Sequence, residues 1–320
     1  MSPSTPAVLV DAVTKSFGPV PALCGVSFAA EPGEVLGVLG PNGAGKTTTV
    51  NILSTLLRPD SGRAVVAGHD VVTDPAGVRR AVMLTGQYAA LDDMLTGFEN
   101  LVLFARLLGL RRRAARARAR ELLAEFDLED AADRRVGKYS GGMRRRIDIA
   151  CGLVVPPRVV FLDEPTTGLD PRSRQRVWDL IAGFKAQGVT TLLTTQYLEE
   201  ADLLADRIVV IDRGTVVAEG TPAQLKQRVG ATFCEVVPVR AADVPAVAHV
   251  LRRFAPAAVV EVAADRVTIP APHGAGTLAQ VATAVAAHGV AVSDIALRRP
   301  SLDEVFLALT AARPRFEVVA

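Results

Sequence analysis

A glycine-rich octapeptide, Gly40-Pro41-Asn42-Gly43-Ala44-Gly45-Lys46-Thr47, stands directly after the apolar run Val35–Leu39 and opens a helical pattern over 47–57. It fits GxxxxGK[ST] in the strand, loop and helix setting that such a loop requires. With 26 glycines in 320 residues, a chain of this length matches the pattern by chance only about 0.003 times. The loop dictates a chemistry as well as a fold. Its glycines let backbone amides turn toward phosphate oxygens, and the helix that follows adds the positive end of its dipole. Lys46 neutralises charge on the β and γ phosphates, and the Thr47 hydroxyl is suited to ligate magnesium.

Short β-branched runs at Val35–Leu39, 81–85, 159–162, 190–194 and 208–211 alternate with helical periodicity. That rhythm predicts an α/β fold with a mostly parallel sheet flanked by helices. Strand patterns vanish between about Gln87 and Val155, where 96–108 and 114–126 have helical spacing instead, so a helical subdomain is expected inside the sheet domain. After 220–222 the order becomes a strand at 233–239, a helix from Asp243, strands near Val259 and Val267, a helix from Thr277 and a strand at 290–297. The order βαββαβ matches a ferredoxin-like unit. A last helix over 301–310 follows Pro300 and opens with the capping-box pair Ser301 and Glu304. Two domains are therefore expected: 1–222, with its inserted helices at about 87–155, and 223–320, a small α+β unit.

The strand at 159–162 ends in adjacent carboxylates, Asp163 and Glu164, at the carboxyl edge where α/β sheets bind ligands. Asp163 is suited to the magnesium shell. Glu164, one residue further, is suited to orient and polarise the water that attacks a γ-phosphate. Taken alone, such a pair is usually a solvated turn; the phosphate loop upstream favours the functional reading. Upstream lies Tyr139-Ser140-Gly141-Gly142-Met143, just before a helical run. A serine and two glycines at a helix N-terminus form a second anion site, although Ser140 also serves as a plain N-cap.

Together these residues resemble the ATP-binding-cassette (ABC) ATPases, with Walker A at 40–47, the signature at 140–143 and Walker B at 159–164, over about residues 7–220. The resemblance implies ATP and Mg2+ as cofactors, and a head-to-tail dimer in which each ATP lies between one chain's Walker A and the other's signature. One set of motifs per chain then calls for a second copy. Thr48 falls within the nucleotide-binding set beside Thr47. Gln87 resembles the Q-loop glutamine that reads magnesium and contacts the membrane subunit. Gly168-Leu169-Asp170-Pro171 resembles the D-loop that crosses the dimer interface, while Asp170 ahead of Pro171 is also a sound N-cap. Phe17 falls where the family stacks an aromatic ring on adenine, with a core phenylalanine at a strand end as the alternative. Met143 replaces the usual glutamine after SGG, and Gln196 stands where the switch histidine normally follows a strand. Both departures, with TTQYLEEAD over 194–202 and SLDEVFLAL over 301–309, resemble the daunorubicin and doxorubicin resistance exporter branch. That branch pairs the ATPase with an integral membrane permease on a separate chain. The implied function is ATP hydrolysis, with Glu164 and Gln196 as catalytic residues, driving export of a drug or other amphipathic compound from the cytoplasmic face of the membrane. A soluble ABC protein acting on the ribosome or DNA, and a regulatory ATP-binding module, stay open at this point.

Composition narrows the remaining classes. With 36 Lys and Arg against 34 Asp and Glu, the net charge of +2 supplies no broad field for a polyanion, so no nucleic-acid partner is expected. Arg111, Arg112, Arg113, Arg116, Arg118 and Arg120 form a basic run without interleaved aromatics, and Arg112, Arg116 and Arg120 would line one solvated helix face. Cys24, Cys151 and Cys234 lack CxxC spacing and are expected as small core residues, and the four histidines show no ligand spacing. Trp178 is expected to pack. No window of ~18 uncharged apolar residues occurs, and the N-terminus shows no basic region followed by an apolar stretch; a soluble, cytosolic chain is the expectation.

Overall fold

Apolar runs without alternation must be covered on both faces, and the central strands of this chain are such runs. The structure, a computed structural model, describes residues 5–86, 90–229, 232–254, 260–299 and 301–311. In the first of two compact units, Met1–Pro222, the elements are β1 (Val8–Phe17), β2 (Val20–Ala30), β3 (Val35–Leu39), α1 (Lys46–Leu53), β4 (Ser61–Val66), β5 (His69–Asp70), α2 (Pro75–Ala81), β6 (Val82–Thr85), α3 (Gly97–Leu107), α4 (Arg112–Glu125), α5 (Gly141–Gly152), β7 (Val159–Asp163), α6 (Pro171–Ala186), β8 (Thr190–Thr195), α7 (Leu198–Leu204), β9 (Arg207–Asp212) and β10 (Thr215–Gly220). Six strands form one sheet in the order β10-β9-β3-β8-β7-β6. Its strands are parallel except for β10, which pairs antiparallel with β9. β3, β7 and β8 are buried along their whole length. Trp178 of α6 is buried, as expected, and its indole N–H also donates to Glu200 at 3.0 Å.

A second, antiparallel sheet in the order β2-β1-β4-β5 was not expected from the strand rhythm. A bulge hides it. Register shifts between Val10 and Val13, Ala12 is left-handed at φ 48°, and a Cβ on Gly62 would lie 2.3 Å from the Ala12 carbonyl oxygen. One extra residue in a strand moves every later side chain to the other face, so the period of two is lost. Cys24 corrects another expectation: Cys151 and Cys234 are buried, but Cys24 is exposed, next to buried Leu23 on the alternating strand β2. The helix after the phosphate loop also stops sooner than its pattern. The Ser54 hydroxyl turns back to the Val50 carbonyl at 2.8 Å and Thr55 goes left-handed at φ 65°, ending α1 at Leu53.

The inserted helices pack on the sheet domain rather than beside it, since Leu101, Leu122 and Ile147 share one core with Leu162, Trp178 and Ile181. α3 opens on a capping box of Thr96 and Glu99. α4 buries Ala115, Ala119 and Leu122 and leaves Arg112, Arg116 and Arg120 exposed, the solvated face that its spacing predicts.

The second unit, Ala223–Ala320, follows the start of α8 (Pro222–Val229) and contains β11 (Phe233–Pro238), α9 (Val244–Phe254), β12 (Glu261–Val262), β13 (Val267–Pro270), α10 (Ala275–Ala287), β14 (Val292–Arg298) and α11 (Leu302–Ala311). Its strands make a small antiparallel sheet in the order β12-β13-β11-β14. Cys234, Val247, Leu251, Val281 and Val285 build its core. Val259 and Pro300 lie outside the described residues. Ser301 and Glu304 do form the capping box, with the Glu304 amide donating to the Ser301 hydroxyl at 3.2 Å and the Ser301 amide to the Glu304 carboxylate at 2.9 Å. Among the described residues no helix is long and apolar enough to cross a membrane.

Candidate nucleotide-binding site

β3 hands the chain to the glycine-rich loop, and the loop's glycines answer to different constraints. Gly43 and Gly45 take φ of 81° and 109°. A Cβ on Gly40 would lie 2.3 Å from the Ile211 carbonyl oxygen, and one on Gly45 would lie 2.7 Å from that of Ala22. Turn geometry and close backbone approach therefore both demand glycine. Lys46 curls back beneath the loop, its Nζ donating to the carbonyls of Gly40 at 2.8 Å and Pro41 at 3.2 Å. Glu164 Oε1 lies 3.9 Å away. Burial draws the Lys46 pKa below the ordinary lysine value, against the opposing pull of Glu164 and Asp163.

Asp163 closes β7 as a buried carboxylate, with Oδ1 accepting from the Thr194 hydroxyl at 2.5 Å and the Thr47 hydroxyl at 3.3 Å. Glu164 then turns into a left-handed backbone at φ 49°, a strained conformation for a non-glycine residue. Its amide is held by the Thr194 carbonyl at 3.0 Å and hydroxyl at 3.1 Å, and its Oε2 accepts from the Thr167 hydroxyl at 3.3 Å. The turn separates the neighbours: Asp163 meets Thr47, whereas Glu164 meets Lys46.

Phe17, Asn42, Gly43, Gly45, Lys46, Thr47, Thr48, Glu164 and Gln196 line one cleft of about 490 Å³. Phe17 is 51% exposed, so it is not a core residue. The Asp163 carboxylate and Thr47 hydroxyl are hard oxygen donors, and among the described residues no group of three or more His, Cys, Asp or Glu could hold a metal. That sparse set fits a divalent cation that keeps waters and phosphate oxygens as its other ligands. Ser140, Gly141 and Gly142 stand outside the cleft, at the start of α5, where the Met143 amide donates to the Ser140 hydroxyl at 3.3 Å. A Cβ on Gly142 would lie 2.2 Å from Ser173 Oγ. That hydroxyl donates to Asp170 at 2.6 Å, and Asp170 caps α6 by accepting the Ser173 amide at 3.0 Å. Ser173 thus ties the two motifs together. Gln87 lies outside the described residues.

The ABC transporter family matches residues 23–167. Over 309 residues the chain is 59% identical to the doxorubicin resistance ATP-binding protein DrrA of Mycobacterium tuberculosis, covering 95% of this chain and 93% of that protein. It is 47% identical over 314 residues to the daunorubicin/doxorubicin resistance ATP-binding protein DrrA of Streptomyces peucetius, covering 96% and 93%. The chain belongs to the daunorubicin/doxorubicin resistance family of ABC transporter ATP-binding proteins. Among solved structures, a dimeric ATP-binding cassette in a post-hydrolysis state bound to ADP and Pi is similar at 27% identity and a TM-score of 0.61, covering 67% of this chain and 98% of that one.

In this ABC ATPase the site also draws on residues that the sequence pattern does not single out. Thr194 belongs to a strand of buried threonines, and only the fold reveals that its hydroxyl grips Asp163 and the Glu164 amide. Asp148 of α5 is buried and the Arg145 side chain is nearly so, the two lying 3.6 Å apart. Arg145 donates to the carbonyls of Gly86 at 2.7 Å, Pro165 at 2.8 Å and Asp163 at 3.4 Å, while Asp148 accepts the Ala90 amide at 3.3 Å. Burial lowers the pKa of Arg145 and pushes Asp148 from 3.8 up to about 6, with Arg145 pulling it back. Arg144, Arg145 and Arg146 are consecutive, yet Arg144 pairs with Asp93 at 2.5 Å and Arg146 reaches the Phe126 carbonyl at 2.6 Å. One cue was the i, i+3 spacing of Arg145 and Asp148.

Proposed function

We propose that this ATPase hydrolyses Mg2+-ATP between two copies of the chain arranged head to tail, and that the cycle drives export of a doxorubicin-like drug or another amphipathic compound through a separate integral membrane permease at the cytoplasmic face of the membrane. The observation that carries the proposal is the convergence of Lys46, Thr47, Glu164 and Gln196 on one cleft that excludes Ser140, Gly141 and Gly142. A second anion-binding element outside the cleft needs a nucleotide from another copy. In this arrangement the Gly40 to Thr47 loop, with Pro41, Asn42, Ala44 and Thr48, cradles the phosphates, and Phe17 stacks on the base. Thr47 and Asp163, with Gln87, hold Mg2+, which when bound would offset phosphate charge. Glu164 accepts the proton of the attacking water, and Gln196, able to donate and accept, contacts the γ-phosphate. Asp170 crosses to the other copy.

The second domain, 223–320, is taken as ferredoxin-like, on the support of its βαββαβ order and strand order β12-β13-β11-β14, with a dimer-stabilising or regulatory role. The shared site has a direct test. Lys46→Ala disables one half of a site and Gly141→Asp the other, the latter without a clash at its Cβ, whose nearest atom is Leu169 Cδ2 at 3.9 Å. Each variant alone is inactive, and mixing them restores one intact site per heterodimer, read as ATPase activity. A mixture as inactive as its parts would refute the shared site. Export is read as doxorubicin accumulation in cells carrying the chain with its permease, which Lys46→Ala should raise to the level of cells lacking both.

A further inference from the structure

A left-handed residue such as Glu164, at φ 49°, persists only where its surroundings over-determine it. One hold is Thr194, which accepts the Glu164 amide through both carbonyl and hydroxyl. The second is Arg145. Its Nε and Nη2 take the carbonyls of Pro165 and Asp163, the residues on either side of Glu164, at 2.8 and 3.4 Å. Its Nη1 takes the carbonyl of Gly86, the residue after β6, at 2.7 Å. Since β6 and β7 are parallel neighbours, one guanidinium joins their carboxyl ends.

Asp148 completes the arrangement. One turn along α5 it faces the same guanidinium at 3.6 Å and accepts the Ala90 amide at 3.3 Å. Gly86 and Ala90 are the described residues on either side of 87–89 in the chain. The two side chains are only 10% and 8% exposed, so Asp148 rather than water balances the arginine charge. Only a rigid fork of several N–H donors reaches three carbonyls from two segments, which a lysine ammonium on its flexible stem does not reproduce. Neither residue lines the cleft.

We propose that Arg145 and Asp148 are positioning residues for hydrolysis: from the helix that Ser140 caps, they fix the backbone on both sides of Glu164 and the residues bracketing Gln87. They act through those backbones and do not touch the nucleotide. The helix presenting the second anion-binding element is thereby locked to the hydrolytic carboxylate of its own chain.

The test is steady-state ATPase of the full chain, with rates expressed per bound nucleotide from an equilibrium ATP titration. Arg145→Ala should lower kcat about 100-fold, the effect of displacing a reacting group by ~1 Å, and Arg145→Lys about tenfold. KM for ATP should stay within about twofold, because the phosphate loop is untouched. Asp148→Ala, which abandons the Ala90 amide, should lose about tenfold, whereas Asp148→Asn, which keeps an acceptor oxygen there, should recover most of that loss. A role in stability alone would reduce the fraction of chains that bind nucleotide while leaving kcat per site unchanged, and that result overturns the proposal. Arg145→Lys at wild-type turnover does the same, and it remains decisive if Arg145→Ala does not fold. Wild-type turnover in Asp148→Ala removes Asp148 from the role.

Discussion

Asp148→Asn changes one atom type in a buried pair and should make the first unit more stable with rising pH relative to the wild type. Burial pushes the folded Asp148 carboxyl from 3.8 up to about 6. A rise of that size corresponds to ~3 kcal/mol of differential stability between the protonated and charged forms. The sign follows from proton uptake: between the two values the folded chain binds a proton that the unfolded chain has released, so wild-type stability falls with pH across that window and is flat above it. Below 3.8 both states are protonated and the penalty is absent. At about pH 5 roughly half of the ~3 kcal/mol is already lost, and at about pH 7.5 all of it, which leaves the other half to be lost between those conditions.

Asparagine does not titrate. Whatever the amide gains or loses beside Arg145 and the Ala90 amide is the same at both pH values and cancels in the double difference. The assay is urea unfolding followed by Trp178, the one tryptophan, which lies buried in the first unit and so reports on that unit. The gap between variant and wild-type midpoints should widen by about 0.5 M urea from about pH 5 to about pH 7.5, for a slope of ~3 kcal/mol/M. A gap that stays constant over this range would mean that Asp148 titrates normally, and the inference that burial outweighs the pull of Arg145 would fail.

Glu164→Gln should leave ATP affinity nearly intact and cut turnover by at least about 100-fold, since the amide keeps shape and hydrogen bonding but cannot accept the proton; near-normal ATPase would remove Glu164 from that role. Lys46→Ala should instead weaken ATP binding by about 10-fold to 100-fold, the loss of a charge-assisted contact, as read by calorimetric titration. Gln196→Ala should lower kcat about tenfold with little change in ATP affinity, and Gln196→His should retain most of the activity; a Gln196→Ala variant with normal turnover and normal export counts against the γ-phosphate contact. Gly142→Ala should destabilise the first unit by about 1–3 kcal/mol through overpacking, and adding Ser173→Gly should recover most of that, because the clash is with the Ser173 side chain; a second substitution without effect would show that the loss arises elsewhere.

What could be read from the sequence was whatever leaves a periodic or type-specific trace. Lys46 did so because a phosphate loop uses residue types that few other needs explain at those places, and Glu164 because that loop stands upstream of a carboxylate that follows an apolar strand. β3 and β7 did so because continuous burial permits only apolar runs. The antiparallel sheet did not, since the bulge at Ala12 and Gly62 breaks the alternation that marks a half-buried strand. β8 is intermediate: its threonines read as a strand, but the burial of Thr190 depends on a partner in the fold, the Gly33 amide, which donates to its hydroxyl at 2.9 Å.

Arg145 illustrates why the support around a site is harder to read than the site itself. Its hydrogen-bond partners are carbonyl oxygens of a glycine, a proline and an aspartate, and every residue type offers the same carbonyl. No side-chain identity therefore records the contact, and an arginine between two other arginines looks like part of a solvated run until the strand ends are placed. Asp148 is different. A carboxylate on the inner face of a helix, one turn from an arginine, conflicts with the apolar spacing around Ile147, Ile149 and Ala150, all buried. A buried charge is costly unless a partner and hydrogen bonds meet it, so that conflict is itself a signal that the opposite charge and a backbone donor lie within reach. Sequence can show that such a partner must exist; only the parallel pairing of β6 with β7 shows that the partner is also what holds Glu164 in place.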